Sequence, residues 1–289
     1  MPERIVPSAP DGAASRSSPP PASFSPEHRA YLQSLRRKRR VVRASRLLVL
    51  LAFLALWEGC TRLGLLDPFI FSAPSRIVST VLQLLQTGDL LSHIGVTLWE
   101  TVLGFALGTG LGALFAVLLW WFPTAARVLD PYLVILNSLP KIALGPVLIV
   151  WMGTGMPAII TIAVLVSVVV AITSISTGFS EASDEKLVLM RSFGATKFQI
   201  LRMLVLPASL PTMVSALKLS VGMSWVGVIV GEFLISRAGL GYLIVYGGQV
   251  FKLDIVMASV VILCLLAAVM YYAVAAFEKR ITRSRPPSL

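Results

Sequence analysis

The side chains that usually do chemistry are scattered in this 289-residue sequence. Its two histidines, His28 and His93, stand far apart, and no His, Cys, Asp and Glu cluster has the spacing of a metal site. No Ser or Cys nucleophile has a base beside it. Cys60 and Cys264 both fall inside apolar runs, which reads as two buried, inert thiols rather than a disulfide framework. The pattern G-x-x-x-x-G-K-[ST] occurs nowhere, so no loop is built to cradle the phosphates of ATP. What stands out is charge in apolar surroundings. Lys141 follows Pro140 inside one apolar run, Asn137 lies one helical turn before it, and Glu232 sits near the end of another run. Ionisable groups inside a membrane are costly and mark a pathway by default. Asn137, Lys141 and Glu232 are therefore the candidates for lining a solute path, with Glu232 expected to pair with a neighbour or line a gate rather than bind an anion. Lys141 would favour an anion, though a lysine can also snorkel to the headgroups along a broken helix. Glu58 and Arg62 stand four apart in the favourable order for an intrahelical ion pair.

The elements that position these residues are long apolar runs. The chain is 56% hydrophobic and 13% charged, and its mean hydropathy is +0.83. Such a composition excludes an ordinary soluble domain. About six runs approach the ~20 residues that cross a bilayer as helix. They cover 47–66, 96–121, 132–152, 156–177, 213–235 and 255–277. The runs are continuous rather than alternating, which predicts an all-α membrane protein and not a barrel. The third contains Pro140, Lys141 and Pro146 and is the one most open to a break.

The net charge of +11 has a topological reading. Arg36, Arg37, Lys38, Arg39, Arg40, Arg43 and Arg46 precede the first run, and Lys279, Arg280, Arg283 and Arg285 follow the last. Both termini are then cytoplasmic by the positive-inside rule, as an even number of spans also requires. The basic run suits acidic lipid headgroups. Without aromatic interleaving or a recognisable module, it predicts no nucleic-acid partner. Residues 1–45 read as a disordered basic cytoplasmic tail whose first 28 residues are rich in Pro, Ser and Ala. Residues 46–280 form the membrane domain and 281–289 a second tail. No signal peptide is expected, because the apolar run begins only at Leu47 and continues too long.

With the N-terminus inside, residues 67–95, 153–157 and 236–254 face outward, and 122–131 and 178–212 face the cytoplasm. The outer loops form no domain that captures a dilute solute alone. The longest inner loop carries an amphipathic stretch, LVLMRSFGATKFQILRMLVLP, from Leu187 to Pro207. Read as helix, it places Leu187, Met190, Gly194, Phe198, Leu201 and Val205 on one face, while Arg191, Lys197, Gln199 and Arg202 project elsewhere. Gly194 permits a turn between two short helices, and Pro207 is expected to stop the second or let the chain re-enter the membrane. Such a segment either lies on the membrane surface or docks into another protein.

Small residues also recur at four-residue spacing. Gly104, Gly108 and Gly112 share a face with Ala116, and Gly227 and Gly231 repeat the interval in the fifth run. This period lets helices approach closely in lipid, either within one chain or across a dimer seam.

Gly194-Ala195, Leu204 and Leu206-Pro207 have the spacing of the cytoplasmic EAA loop of bacterial ABC importer permeases: a Gly, nine residues, an aliphatic, one residue, then Leu-Pro. The family's Glu-Ala-Ala triplet is replaced here by Val188-Leu189-Met190. Further stretches resemble the branch that transports nitrate, sulfonates, taurine, bicarbonate and thiamine-precursor pyrimidines. They are Ser72-Ala73-Pro74-Ser75, Asp130-Pro131, the run from Leu139 to Pro146, Trp151-Met152-Gly153, Gly231-Glu232-Phe233 and Gly239-Leu240-Gly241-Tyr242. The resemblance covers residues 47–280. It implies an ABC importer permease fold whose coupling loop, 178–212, carries a coupling helix that enters a groove of an ATPase subunit. Carried over by position, Arg191, Phe193, Gly194, Ala195, Thr196, Lys197, Phe198, Leu204, Leu206 and Pro207 would make that coupling. The implied partners are an ABC ATPase dimer, a periplasmic or lipid-anchored solute-binding protein and a second copy of the chain, in the bacterial inner membrane. The chain would be non-catalytic and bind no cofactor, with ATP and Mg on the ATPase. The competing reading is an ATP-independent secondary transporter or channel subunit, in which the Gly194-to-Pro207 loop has no role. A membrane-bound enzyme finds no support in the residues.

Overall fold

The computed structural model describes the backbone of residues 26–283. Among these residues every regular element is helical. The chain divides into two units, the first ending at Leu56 and the second beginning at Trp57. In the first unit, helix α1 (Pro26–Arg62) starts at Pro26, so the expected disordered tail is helical from that residue; residues 1–25 and 284–289 lie outside the described residues. The first apolar run, expected at 47–66, is helical only as far as Arg62, where α1 ends.

In the second unit four helices are long and apolar enough to cross a bilayer, judged by length and composition. These are α4 (Asp89–Trp121), α7 (Met156–Ser180), the continuous stretch Lys197–Ile235 and α12 (Leu253–Arg283). A fifth span arises if α5 (Pro123–Ser138) and α6 (Gly145–Met152) are taken together. They meet at 85° across Leu139-Pro140 and a tight turn of 3₁₀ helix at Lys141–Leu144. The expected third run is thus broken. Pro140 has no N–H to donate and disfavours helix in the residue before it. The expected inner loop at 122–131 is helical, since α5 begins at Pro123. The expected outer loop at 67–95 is mostly helical too, as α2 (Pro68–Phe71), α3 (Pro74–Gln86) and the first turns of α4. Glu58 organises this region: it pairs with Arg62 at 2.7 Å and accepts from the Ser75 amide at 3.1 Å at the start of α3.

Helix α7 is the centre of the packing and lies against both α4 and α10 (Leu206–Ile235). The reason is a row of small residues. Gly104, Gly108 and Gly112 of α4 face Ala163, Ser167 and Ala171 of α7, and Gly227 and Gly231 of α10 face Ala163 and Ile159. A methyl group placed at Gly104 would stand 2.7 Å from the Ala163 Cβ, too close for the helices to keep this separation. Both glycine ladders thus face helices of the same chain. Helix α12 is buried over only 11% of its apolar window, against 56% for α7. The expectation of two buried thiols fails for that reason: Cys264, on α12, is exposed, and Cys60 is half-buried.

Candidate functional site: a helical corner and an anchored helix

The stretch singled out in the sequence folds as two helices around a sharp corner. Helix α8 (Asp184–Ser192) has Asp184 and Glu185 in its first turn and Arg191 in its last, each sign suited to the helix dipole. It ends in a left-handed residue, Gly194, with φ of 75°. The Ala195 amide donates to the Met190 carbonyl at 3.0 Å and the Gly194 amide to the Arg191 carbonyl at 2.9 Å. This pair of bonds is a Schellman cap. Two residues later Thr196 opens α9 (Lys197–Ile200) with a capping box. The Thr196 amide donates to Gln199 Oε1 at 2.7 Å, and the Gln199 amide donates to Thr196 Oγ1 at 3.3 Å. Both sides of the corner are therefore capped, which fixes its angle.

The glycine also resets the helical phase. Phe198, expected on one face with Leu201 and Val205, is 58% exposed, whereas Ile200, Leu201 and Val205 are buried with Ala116, Ile175, Phe179 and Ala182. Leu187, Met190, Ala195 and Leu206 pack against the same cluster. Among the residues expected to couple, Arg191, Phe193, Gly194, Thr196, Lys197 and Phe198 lie at the surface, Ala195 and Leu206 pack into the core cluster, and Leu204 and Pro207 are half-buried. Phe193 is the most exposed of them at 81%. Val188, Leu189 and Met203 are further exposed apolar side chains of this segment; a single helical phase carried across Gly194 does not mark them. Met190, in the position of the family's second alanine, packs inward, and Val188 and Leu189 stay outside.

Pro207 does not end the second helix. A π-turn at Leu201–Val205 precedes it, in which the Leu206 amide reaches back to the Leu201 carbonyl, and the helix runs on to Ile235. The wider turn takes up the missing proline N–H. Two side chains tie this rod to its neighbours. Lys197 Nζ donates to the Trp121 carbonyl at the end of α4 at 2.6 Å, and Thr212 Oγ1 contacts both Glu181 carboxylate oxygens, at 2.8 and 2.7 Å, at the end of α7.

At the other end of α10 the arrangement is polar and closed. Helix α11 (Leu240–Gln249) begins there, and side chains receive its first amides. Gly239 N–H donates to His93 Nδ1 at 2.9 Å, Leu240 N–H to Thr97 Oγ1 at 2.7 Å, and Gly241 N–H to Glu232 Oε2 at 2.6 Å. Three donors that a helix start leaves unsatisfied are thus met by α4 and α10. Glu232 and Glu100 are 1% and 2% exposed. Glu232 Oε1 and Glu100 Oε2 accept no hydrogen bond from the described residues. The sequence does not single out Thr97 or Glu100 and shows His93 only as an isolated imidazole, because the partners of His93 and Thr97 lie more than a hundred positions away; the one local signal is Glu100 inside an apolar run.

Of the three residues expected to line a path, Lys141 and Asn137 meet at the break, and Glu232 makes its hydrogen bond elsewhere. Lys141 is half-buried, and its Nζ donates to the Asn137 carbonyl at 3.1 Å. It thereby spans the break before it and serves an acceptor that the broken helix leaves open. None of the hydrogen bonds of Glu232 among the described residues reaches Lys141 or Asn137. Lys141 also lines a cavity of about 300 Å³ whose other walls, among them Leu133, Leu136 and Val169, are apolar or aromatic. Among the described residues no group of three His, Cys, Asp or Glu is placed to hold a metal.

Comparison with known proteins agrees with this architecture. Residues 108–283 match the family described as binding-protein-dependent transport system inner membrane component. A probable ABC transporter permease protein of Haemophilus influenzae is 31% identical over 79% of this chain and 92% of its own length. The putative aliphatic sulfonates transport permease SsuC of Bacillus subtilis is 26% identical over 83% of this chain and 87% of its own. Among solved structures, a bacterial ABC transporter involved in import of the acidic polysaccharide alginate superimposes with a TM-score of 0.61. It covers 85% of this chain and 97% of its own at 14% identity, a likeness of fold. The chain belongs to the family of binding-protein-dependent transport system inner membrane components, the multi-pass permease subunits of ABC importers.

Proposed function

We propose that this permease carries a small organosulfonate inward as one half of a homodimer, driven by an ATPase on a separate chain that docks on the α8–Gly194–α9 corner. The observation that carries this reading is the corner itself. It is doubly capped, yet Leu189, Phe193 and Phe198 stand more than half exposed on it. Apolar side chains on so rigid a turn suit a partner that covers them. The corner end is then cytoplasmic, both termini face the cytoplasm, and the membrane is the bacterial inner membrane. ATP and Mg bind the partner, this chain being non-catalytic, and a solute-binding protein delivers the solute to the opposite side. The sulfonate class rests on the likeness to SsuC.

The mechanism follows from the connections. Closure of two ATPase subunits moves the corner docked in each. The corner leads without interruption into the helix Lys197–Ile235, and the ties to Trp121 and Glu181 carry the same displacement to α4 and α7. A rigid-body shift of this kind biases two packings of the spans, one open to each side.

The test is co-purification of the tagged permease with its ABC ATPase partner, followed by taurine uptake in vesicles. Wild type should retain the ATPase and take up taurine only with ATP and binding protein, and Gly194→Trp should lose the ATPase. Uptake by the permease alone, driven by an ion gradient, overturns the coupling. ATP-dependent uptake of another solute but not of sulfonates overturns the substrate class alone.

A further inference from the structure

A cavity of about 590 Å³ opens at the corner end, where the end of α4, the start of α5 and the α8–α9 corner meet. Its walls have two characters. Leu119, Trp120, Pro123 and Ala126 line it from the spanning helices, and Arg127, Arg191 and Lys197 line it from α5, α8 and α9. No carboxylate is among its lining residues; Asp130 lines the adjoining cavity. Among the described residues Arg127 and Arg191 make no side-chain hydrogen bond or ion pair. Lys197 donates to the Trp121 carbonyl, and its ammonium lies 5.7 Å from the centre of the Trp121 ring, which leaves further N–H groups for another acceptor. Trp120 and Trp121 close α4, and paired tryptophans at the end of a span mark the boundary between membrane and water. Three cations over an apolar wall at that level match an amphiphile with an anionic head.

We infer that this cavity binds an anionic phospholipid, its phosphodiester held by Arg127, Arg191 and Lys197 and its acyl chain laid against Leu119 and Trp120. Basic pockets between spanning helices at a membrane surface recognise such headgroups. An acidic segment of a soluble partner suits the cavity less well. Leu187 and Arg191 face it from one side of α8, whereas Leu189 and Phe193 lie on the opposite side of that helix, where a soluble partner would find its apolar contacts. Free inorganic phosphate would leave the apolar wall unused.

The test uses the full chain in vesicles with dibrominated phosphatidylglycerol or dibrominated phosphatidylcholine, whose bromines quench only nearby tryptophans. Subtracting the signal of a Trp120→Phe, Trp121→Phe variant isolates these two of the six tryptophans. Wild type should prefer the anionic lipid. Arg127→Gln should lower that preference roughly fivefold, as the loss of one cation at an anionic surface predicts, and Arg127→Lys should retain it. Native mass spectra should show fewer phosphatidylglycerol molecules held by Arg127→Gln than by wild type, a readout independent of the tryptophan variant. Equal quenching by the two lipids overturns the inference. So does displacement of the lipid by millimolar inorganic phosphate, which would make the site one for a free anion. So does an Arg127→Gln variant that keeps its lipid preference while ATPase capture falls, which would assign the cations to the partner.

Discussion

At one end of α10 the chain buries its polar groups, and at the other it exposes its apolar ones. The α11 end encloses Glu232, Glu100 and Thr97 and receives three helix-starting amides on side chains. The corner end meets its own backbone needs with local caps and leaves Leu189, Phe193 and Phe198 in the open. Unpaired buried polar groups are costly, so the first end, whose helix-starting amides are met only by these buried side chains, should respond to mutation through stability. The second is complete without its surface residues and should respond through partner capture. Substitutions at the two ends should therefore separate folding from coupling.

The largest expected effect is Gly239→Val. This residue has φ of 110°, and a Cβ there would fall on the Glu232 carboxyl. Left-handed strain and overpacking together should cost about 3 kcal/mol. Thermal unfolding of the detergent-solubilised protein reads the loss, and a midpoint equal to wild type would contradict the enclosure described for this end. Phe193→Asp should do the opposite. Its side chain is 81% exposed, so the unfolding midpoint should stay put. Capture of the ATPase should fall by about tenfold or more, the loss typical of a central aromatic contact. A Phe193→Asp variant that unfolds early and still binds the ATPase would erase the distinction between the two ends.

The difference between the ends also explains what the sequence could reveal. The corner is made by neighbours: Gly194 supplies the left-handed residue, and Thr196 and Gln199, three apart, supply a capping box, so its turn was legible locally. Its orientation was not, because the break at Gly194 changes which face points inward, and Phe198 emerged outside. The α11 end depends on His93 and Thr97 reaching Gly239 and Leu240, pairings that no local period encodes. Four of the six apolar runs coincide with spanning helices and the third is bent at Pro140, and the limits moved where polar segments were helical too, as at Pro123 and Asp89. Four-residue spacing marked the glycine faces, and only tertiary structure shows that α7 fills both.

A smaller effect should come from Gly194→Ala. A Cβ there meets nothing within 4 Å, so the cost is the positive φ alone, about 1 kcal/mol. Gly194→Asn should recover part of it, because Asn tolerates the left-handed region. Equal midpoints for glycine and alanine would mean that the corner does not need its left-handed residue.

Lys141→Met should change stability least. The methionine side chain is long and unbranched and suits the apolar cavity beside the break, so it keeps the volume while removing the charge. The hydrogen bond to the Asn137 carbonyl is lost, which should lower stability by no more than about 1 kcal/mol. Capture of the ATPase should not change, because Lys141 lies outside the corner. If the lysine faces the moving solute, ATP-dependent sulfonate uptake should slow. Uptake at the wild-type rate would instead assign Lys141 to the bend alone, as the cation that serves the open carbonyl before Pro140. Comparing uptake with unfolding in this one variant separates a residue of the path from a residue of the scaffold.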